Sequence, residues 1–181
     1  MTDWTDHSFP DHEVNLVFAR GKSPGALTEG LRGLLREPLE CGEANGWAWA
    51  VHDMLNPEAD DYDLVDYRSL CQGGGEVVVF VTEPCSAKAH GPDFSYYRDG
   101  RTVLHFSFED VGQRVGENPD YLSAELLAAN LIGPESECGW AEGEGHDCFD
   151  HHYDDENRLV RAIADFFVLP SPPLSKEVAA K

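Results

Sequence analysis

The sequence predicts an α+β fold: a mostly antiparallel β-sheet of about five strands, with three or four helices packed mainly on one face. Short β-prone runs recur along the chain, and leucines recur between them at the three- and four-residue spacing of an amphipathic helix. Their order, β-α-β-(α)-β-β-β-α-α, favours antiparallel strands with helices packed against them. We expect a single domain over residues 13–169, a loose leader over 1–12 and a flexible tail over 170–181.

The first half of the chain predicts a strand, a helix and a second strand. Apolar residues over 14–19 indicate a strand with a well-buried face. Ser23 and Pro24 supply an N-cap and a proline at the first helical position, and the helix is expected to end near Glu37. A second strand follows over 47–51, where two tryptophans share one face. The inward stripe of the helix consists of Leu27, Leu31, Leu34 and Leu35.

The middle of the chain predicts a short helix, a central strand and a hairpin. The short helix is expected over 64–71, and the β-prone run over 76–81 is expected in the centre of the sheet. Asp99-Gly100 separates the strands predicted over 94–98 and 101–108. This dipeptide favours a tight hairpin turn, because both central residues of the turn need positive φ.

Two further helices are predicted after the hairpin. Asn118 and Pro119 repeat the cap-plus-proline start, and leucines continue a helix that Gly133 stops. An acidic, insertion-like loop is expected over 134–157, and the last helix begins near its end and covers 154–167. Its inward residues are predicted to be Leu159, Ile163, Phe166 and Phe167.

The charge of the chain excludes several classes of partner. Its 34 acidic and 13 basic side chains leave a formal net charge of −21. Such a surface repels nucleic-acid phosphates and anionic lipid, so we expect neither direct nucleic-acid binding nor membrane binding. The same surface attracts basic proteins and speeds their encounter.

Three features favour a cytoplasmic location. No apolar stretch approaches the roughly 20 residues that span a bilayer. The first residues contain neither the basic nor the apolar region of a signal peptide. The five cysteines form an odd, scattered set rather than a disulfide framework, so we expect reduced thiols.

Two acidic segments contain the predicted partner-binding residues. Neither 53–66 nor 135–156 contains a lysine or an arginine, and aromatic residues are interleaved with the acids. Carboxylates steer a basic protein and aromatic side chains anchor it, so the combination suits a docking surface. The alternative is a solubilising surface with no partner. The predicted docking residues are Asp60, Asp61, Tyr62, Asp63, Asp66, Trp140, Glu142, Glu144, Asp147 and Asp150.

A cluster of cysteines and histidines over 138–152 is a candidate metal site. Thiols and imidazoles are the ligands that tetrahedral zinc prefers, and the neighbouring carboxylates could instead hold calcium. The spacing matches no standard zinc finger, so a solvated acidic loop and a Cys138–Cys148 disulfide are alternatives. Zinc is therefore a candidate, and no other cofactor is expected. The candidate ligands are Cys138, His146, Cys148, His151 and His152.

Catalytic candidates are few, and the sequence assigns no catalytic residue. Cys85 has His90 five residues away, but a small buried thiol is the commoner state of a free cysteine. Pro84-Cys85 matches half of a zinc-deaminase signature. The second cysteine of that signature would fall at position 88, which is Lys88, so this assignment fails. His52 and His105 could form a general acid/base pair, although such strand histidines more often have a structural role.

Four segments of the chain resemble a known family. They are Arg20-Gly21-Lys22-Ser23-Pro24, Gly46-Trp47, Tyr97-Arg98-Asp99-Gly100 and the run 114–122, which reads Arg-x-Gly-x-x-Pro-Asp-x-Leu. The pattern resembles an uncharacterised family of small actinobacterial proteins, frequent in Streptomyces, over roughly residues 12–132. Residues 134–157 depart from it. The family has no known catalytic residues, so the resemblance implies nothing catalytic here.

The expected function is the binding of a basic partner, not catalysis. An immunity or inhibitor protein that neutralises a basic secreted toxin is the sharpest form of this hypothesis. One alternative is a metal-dependent enzyme, or a metal-stabilised domain, built on residues 138–152. The other is a structural module that assembles into oligomers.

Overall fold

Six strands form one sheet in which all neighbouring strands are antiparallel. A computed structural model describes residues 14–54, 65–82, 92–134, 136 and 148–170, and only the backbone of 148–154. The α+β prediction is confirmed, with six strands where about five were expected. The strands are β1 (Val14–Arg20), β2 (Pro38–Ala44), β3 (Trp47–Asp53), β4 (Glu76–Val81), β5 (Asp93–Arg98) and β6 (Arg101–Ser107), in the sheet order β2-β3-β1-β4-β5-β6.

Helices cover both faces of this sheet, whereas the sequence predicted most of them on one face. α2 and α3 pack on one face, where Leu159 and Ile163 are buried. α1 and the first 3-10 helix pack on the other face through Leu27 and Leu31. In the described residues the α-helices are α1 (Pro24–Gly33), α2 (Ser123–Ala128) and α3 (Cys148–Phe167), and the 3-10 helices cover Tyr67–Cys71 and Phe108–Asp110.

Two local predictions are confirmed. The Ser23 hydroxyl caps α1, since its oxygen accepts a hydrogen bond from the Ala26 N–H at 3.2 Å. Asp99 and Gly100 have φ values of 50° and 75°, as the predicted hairpin turn between β5 and β6 requires.

Strand β2 is the element that the sequence pattern does not predict. None of its residues is buried, so it lacks the apolar alternation that marks a strand. It lies at an edge of the sheet and pairs with β3, and the register of the pairing shifts between Pro38 and Glu40. The Trp49 side chain of β3 covers Gly42, where a Cβ atom would lie 2.5 Å from the indole ring.

The end of α1 also differs from the prediction. The helix ends at Gly33 rather than near Glu37. Leu35 adopts a left-handed φ of 58°, and the Arg36 N–H donates to the Leu31 carbonyl at 3.0 Å, which closes the helix. The Leu35 side chain is therefore 44% exposed, not part of the inward stripe.

The later helices begin at other positions than predicted. The Asn118 carbonyl accepts the Tyr121 N–H at 3.1 Å, so the predicted cap forms a turn and α2 starts further along. α3 begins at Cys148, inside the loop predicted over 134–157. Phe166, predicted to face inward, is 37% exposed and packs edge-on against Tyr121.

The strand register gives the sheet two distinct ends. At one end Asn15, near the start of β1, lies opposite His52, near the end of β3. At the other end Arg20 lies opposite Glu76, which lies opposite Arg98. We call these the His52 end and the Arg20 end.

Candidate functional site

Acidic residues concentrate in the connections at the His52 end of the sheet. Connections 34–37, 54–66 and 82–92 begin at this end, and they hold seven acidic and two basic residues, a net charge of −5. The charged residues of these three connections are Arg36, Glu37, Glu58, Asp60, Asp61, Asp63, Asp66, Glu83 and Lys88. The connections at the Arg20 end are 21–23, 45–46, 72–75 and 99–100, whose charged residues are Lys22 and Asp99. The strongly acidic connections therefore leave the sheet at the His52 end.

Most of the predicted docking residues lie outside the described residues, and Asp66 is the one whose side chain is described. Its carboxylate accepts hydrogen bonds from the Arg68 N–H at 3.1 Å and from Arg68 Nη2 at 2.7 Å. The hydrogen bond from the Arg68 side chain lowers the Asp66 pKa. Asp150 belongs to α3, and its side chain is not described. The residues outside are Asp60, Asp61, Tyr62, Asp63, Trp140, Glu142, Glu144 and Asp147.

A buried polar network, the His52 cluster, lies at the strand ends from which connections 54–66 and 82–92 leave the sheet. It consists of Asn15, His52, Tyr67 and Thr82, all less than 9% exposed. His52 Nδ1 lies 2.8 Å from the Asp53 carbonyl, which can only accept, so this nitrogen carries the proton. Nε2 then accepts from the Tyr67 hydroxyl at 2.9 Å. That hydroxyl in turn accepts from Asn15 Nδ2 at 3.0 Å.

The network continues from β1 to Thr82, the residue that follows β4. The Asn15 amide oxygen accepts the Thr82 N–H at 3.3 Å, and the Thr82 hydroxyl donates to the Val14 carbonyl at 2.5 Å. The cluster therefore joins β1, β3, β4 and the first 3-10 helix where connections 54–66 and 82–92 leave the sheet. The sequence carries one signal of it, the polar Asn15 within an otherwise apolar run, which the strand prediction did not use.

Burial keeps the histidine of this cluster neutral. Desolvation lowers the His52 pKa from 6.5 to about 4, and the nearby Arg36 guanidinium acts in the same direction. The hydrogen bond to the Asp53 carbonyl opposes this shift without cancelling it. Burial also raises the Tyr67 pKa, so its hydroxyl keeps the proton that it donates to His52. At neutral pH the cluster is thus an uncharged structural network.

The acid/base pair considered for His52 and His105 is wrong. The two residues lie on β3 and β6, with β1, β4 and β5 between them. Four strand spacings amount to about 19 Å, which is beyond any shared proton transfer. His105 instead has its Nδ1 3.0 Å from the Ser95 hydroxyl on the neighbouring strand.

A second polar cluster at the Arg20 end is centred on Glu76. One carboxylate oxygen accepts from Arg20 Nη1 at 3.0 Å, and the other accepts from Arg98 Nε at 3.1 Å. The Tyr96 hydroxyl donates to this second oxygen at 2.9 Å. Burial, followed by hydrogen bonding that includes Glu76, raises the Tyr96 pKa and keeps this hydroxyl a donor.

The same cluster holds the C-terminal end of α3. The Phe167 carbonyl accepts hydrogen bonds from Trp47 Nε1 at 3.0 Å and from Arg20 Nη2 at 3.2 Å. The Arg20 guanidinium also lies 4.2 Å from the centre of the Trp47 ring. Arg98 Nη2 donates to the Tyr121 hydroxyl at 3.0 Å. The four residues that make these contacts belong to the segments that the sequence analysis singled out: Arg20, Trp47, Arg98 and Tyr121. In the fold they hold α3 and the residues before α2 against the sheet.

The candidate metal ligands are only partly within the described chain. Cys148, His151 and His152 fall in the first two turns of α3, where helical spacing places the first and the last of them one turn apart. Cys138 and His146, like Cys85, lie outside the described residues.

Comparison with family models, with curated proteins and with solved structures gives no significant match for this chain. Within the described residues, no helix combines the length and the apolar character needed to cross a bilayer.

Proposed function

We propose that this chain binds a basic protein and that the acidic connections at the His52 end form the docking surface. The observation that carries the proposal is that the strongly acidic connections leave the sheet at the His52 end. Connection 54–66 alone holds five acidic residues and no basic residue. Charge gathered at one end steers a cationic partner towards that end, which charge spread evenly over a surface does not do.

The His52 cluster supports this proposal because it holds the strand ends to which the acidic connections are attached. Its hydrogen bonds fix the strand ends from which two of the acidic connections leave. A rigid base limits the entropy that docking residues lose on binding, so more of the interaction energy appears as affinity. Neutralisation of a basic toxin by an immunity or inhibitor protein is the form of partner binding that we propose.

Affinity capture with matched variants tests the docking surface. The loop variant is Asp60→Asn, Asp61→Asn and Asp63→Asn together. The control is Glu29→Gln, Glu125→Gln and Asp165→Asn, which removes the same charge from α1, α2 and α3. We expect the loop variant to bind the captured basic protein about tenfold more weakly than the control, at about 0.5 kcal/mol per lost charge pair.

Salt dependence and inhibition complete the test. Calorimetry at about 50 and 500 mM salt compares weak and strong screening, and wild-type affinity is expected to fall at high salt. The captured protein is then assayed for toxin activity with and without this chain. Equal losses of affinity in the loop variant and the control, or an affinity that ignores salt, contradict docking at the His52 end.

A metal-stabilised domain is the second candidate. The helical spacing of Cys148, His151 and His152 favours it, because ligands one turn apart can share one ion. Elemental analysis of the purified protein, with a Cys148→Ser variant beside it, measures the zinc content. Zinc in the wild type that the variant loses supports a site, and a wild type without zinc contradicts it.

A further inference from the structure

Two half-exposed arginines flank one carboxylate at the Arg20 end of the sheet. The Arg20 and Arg98 side chains are 47% and 48% exposed, whereas Glu76, on the strand between them, is 19% exposed. One carboxylate cannot neutralise two guanidinium groups, so one positive charge is left over. Each guanidinium has five N–H donors, and its contacts within the described chain occupy only part of them. The two arginines therefore form a cationic site in a chain whose net charge is −21.

Apolar side chains continue this site towards the end of α3. Arg98 donates to the Tyr121 hydroxyl at 3.0 Å, and the Phe166 ring packs edge-on against the Tyr121 ring at 5.5 Å. Phe166 is 37% exposed and Val168 is 60% exposed, and Arg20 bonds to the carbonyl of the residue between them. We call this surface the Arg20 patch, and it consists of Arg20, Arg98, Tyr121, Phe166 and Val168.

Val168 has a backbone conformation that a β-branched residue rarely adopts. Its φ is 54°, in the left-handed region, where a Cβ atom is crowded. The Leu169 N–H donates to the Ala164 carbonyl at 2.9 Å, so Val168 occupies the position after a helix that glycine usually fills. Valine here strains the backbone and exposes an apolar side chain to water. Neither effect stabilises the folded chain, and both are typical of a residue that contacts a ligand.

We propose that the Arg20 patch binds an acidic peptide segment in which a carboxylate lies next to a large apolar side chain. The carboxylate pairs with Arg20 and Arg98, because planar guanidinium groups match its two oxygens. The apolar side chain packs on Phe166 and Val168. Charge complementarity selects this occupant: one surplus positive charge suits one carboxylate, and the net charge of −21 opposes the approach of a polyanion such as a nucleic acid. The patch lies at the other end of the strands from the acidic connections, so this inference does not depend on the proposed binding of a basic protein.

Two peptides with blocked ends test the site. The first is a hexapeptide that alternates glutamate with leucine, and in the second glutamine replaces each glutamate. Binding is followed by NMR through the amides of 166–169 and the indole N–H of Trp47, which bonds to the Phe167 carbonyl beside Arg20. We expect the acidic peptide to shift these signals until they saturate, and the glutamine peptide to bind about tenfold more weakly or less still.

Val168→Gly separates peptide binding from folding. Glycine relieves the positive φ, so the urea midpoint of unfolding is expected to rise, while affinity for the acidic peptide falls about threefold to tenfold with the lost apolar contact. Leu35→Gly is the matched control, because Leu35 follows α1, has a φ of 58° and is 44% exposed. It is expected to raise the midpoint as well and to leave the affinity unchanged.

Arg98→Gln tests the charge of the patch. It is expected to weaken binding of the acidic peptide about tenfold, while Arg32→Gln, which removes an exposed arginine from α1, leaves it near the wild-type value. Equal binding of the two peptides, equal losses in the two arginine variants or full affinity in Val168→Gly overturns the inference. Inorganic phosphate that shifts the same signals at the same concentration also contradicts a peptide site. Signals that shift when the protein alone is concentrated assign the patch to a second copy of the chain instead.

Discussion

Trp47 and Phe167 are joined by a hydrogen bond across 120 positions of the chain, from the indole Nε1 to the main-chain carbonyl, at 3.0 Å. The carbonyl belongs to the last residue of α3, where the helix itself offers no further donor. The bond thus connects the end of the longest helix described to the start of β3. Because Trp47 is fully buried, the polar bond and the apolar packing act at one residue.

Replacing Trp47 with phenylalanine removes the hydrogen bond to the Phe167 carbonyl and keeps an aromatic side chain at this position. Trp47→Phe is expected to lower the free energy of unfolding by about 2–3 kcal/mol, through the lost bond, the smaller side chain and the weakened contact with Arg20. Trp49→Phe on the same strand serves as the control, since Trp49 is only partly buried, and it is expected to cost about 1 kcal/mol or less. Urea unfolding measures both, and equal losses contradict this role of Trp47.

Glu76 is expected to contribute more to the free energy of unfolding than an exposed ion pair does. Its carboxylate is 19% exposed and bonds to two arginines that are about half exposed, so solvent screens the interaction in part. Glu76→Gln should lower the free energy of unfolding by about 1–2 kcal/mol, whereas Glu117→Gln, which removes an exposed pair with Arg101, should change it by less than about 0.5 kcal/mol. Unfolding at low and high salt checks this, and the Glu76 effect is expected to shrink as salt rises.

Local signals in the sequence predicted most of the central strands and the hairpin. The turn at Asp99-Gly100 needs only two residues with positive φ, and β1 and β4 are apolar because both of their faces are covered. The edge strand β2 escaped prediction for the opposite reason. Its stability comes from pairing with β3, and solvent exposure removes the apolar pattern that would reveal it.

The clusters at the two ends of the sheet depend on contacts that no local pattern encodes. Asn15 meets Tyr67 across 52 positions and Thr82 across 67. Composition predicted the acidity of connection 54–66, but only the strand pairing shows that it leaves the sheet at the same end as connection 82–92. The wrong pairing of His52 with His105 has the same origin, because strand order decides their separation.

Gly116 occupies a position that only glycine fits. Its φ is 128°, and a Cβ atom there would lie 2.4 Å from the Val103 carbonyl oxygen, where the chain crosses the edge of β6. Gly116→Ala is expected to lower the free energy of unfolding by about 2 kcal/mol or more. Gly25→Ala in α1, where a Cβ atom meets nothing within 4 Å, should be neutral or stabilising by up to about 1 kcal/mol. Urea unfolding that ranks the two variants equally contradicts this assignment.

The His52 cluster predicts how stability depends on pH. His52 is buried beside Arg36, Asp53 and Tyr67, and its pKa lies near 4 in the folded chain against 6.5 when exposed. Because the folded value is lower, the stability from neutral His52 is present above pH 6.5 and is lost as the pH falls towards 4. The loss approaches roughly 3 kcal/mol below pH 4. Urea unfolding of the wild type and of His52→Gln from pH 7.5 to pH 4 isolates this contribution. The carboxylates of the chain titrate in both proteins, so their effect on stability cancels in the difference. We expect the stability difference between them to shrink with falling pH, and a constant difference contradicts a histidine held neutral by burial.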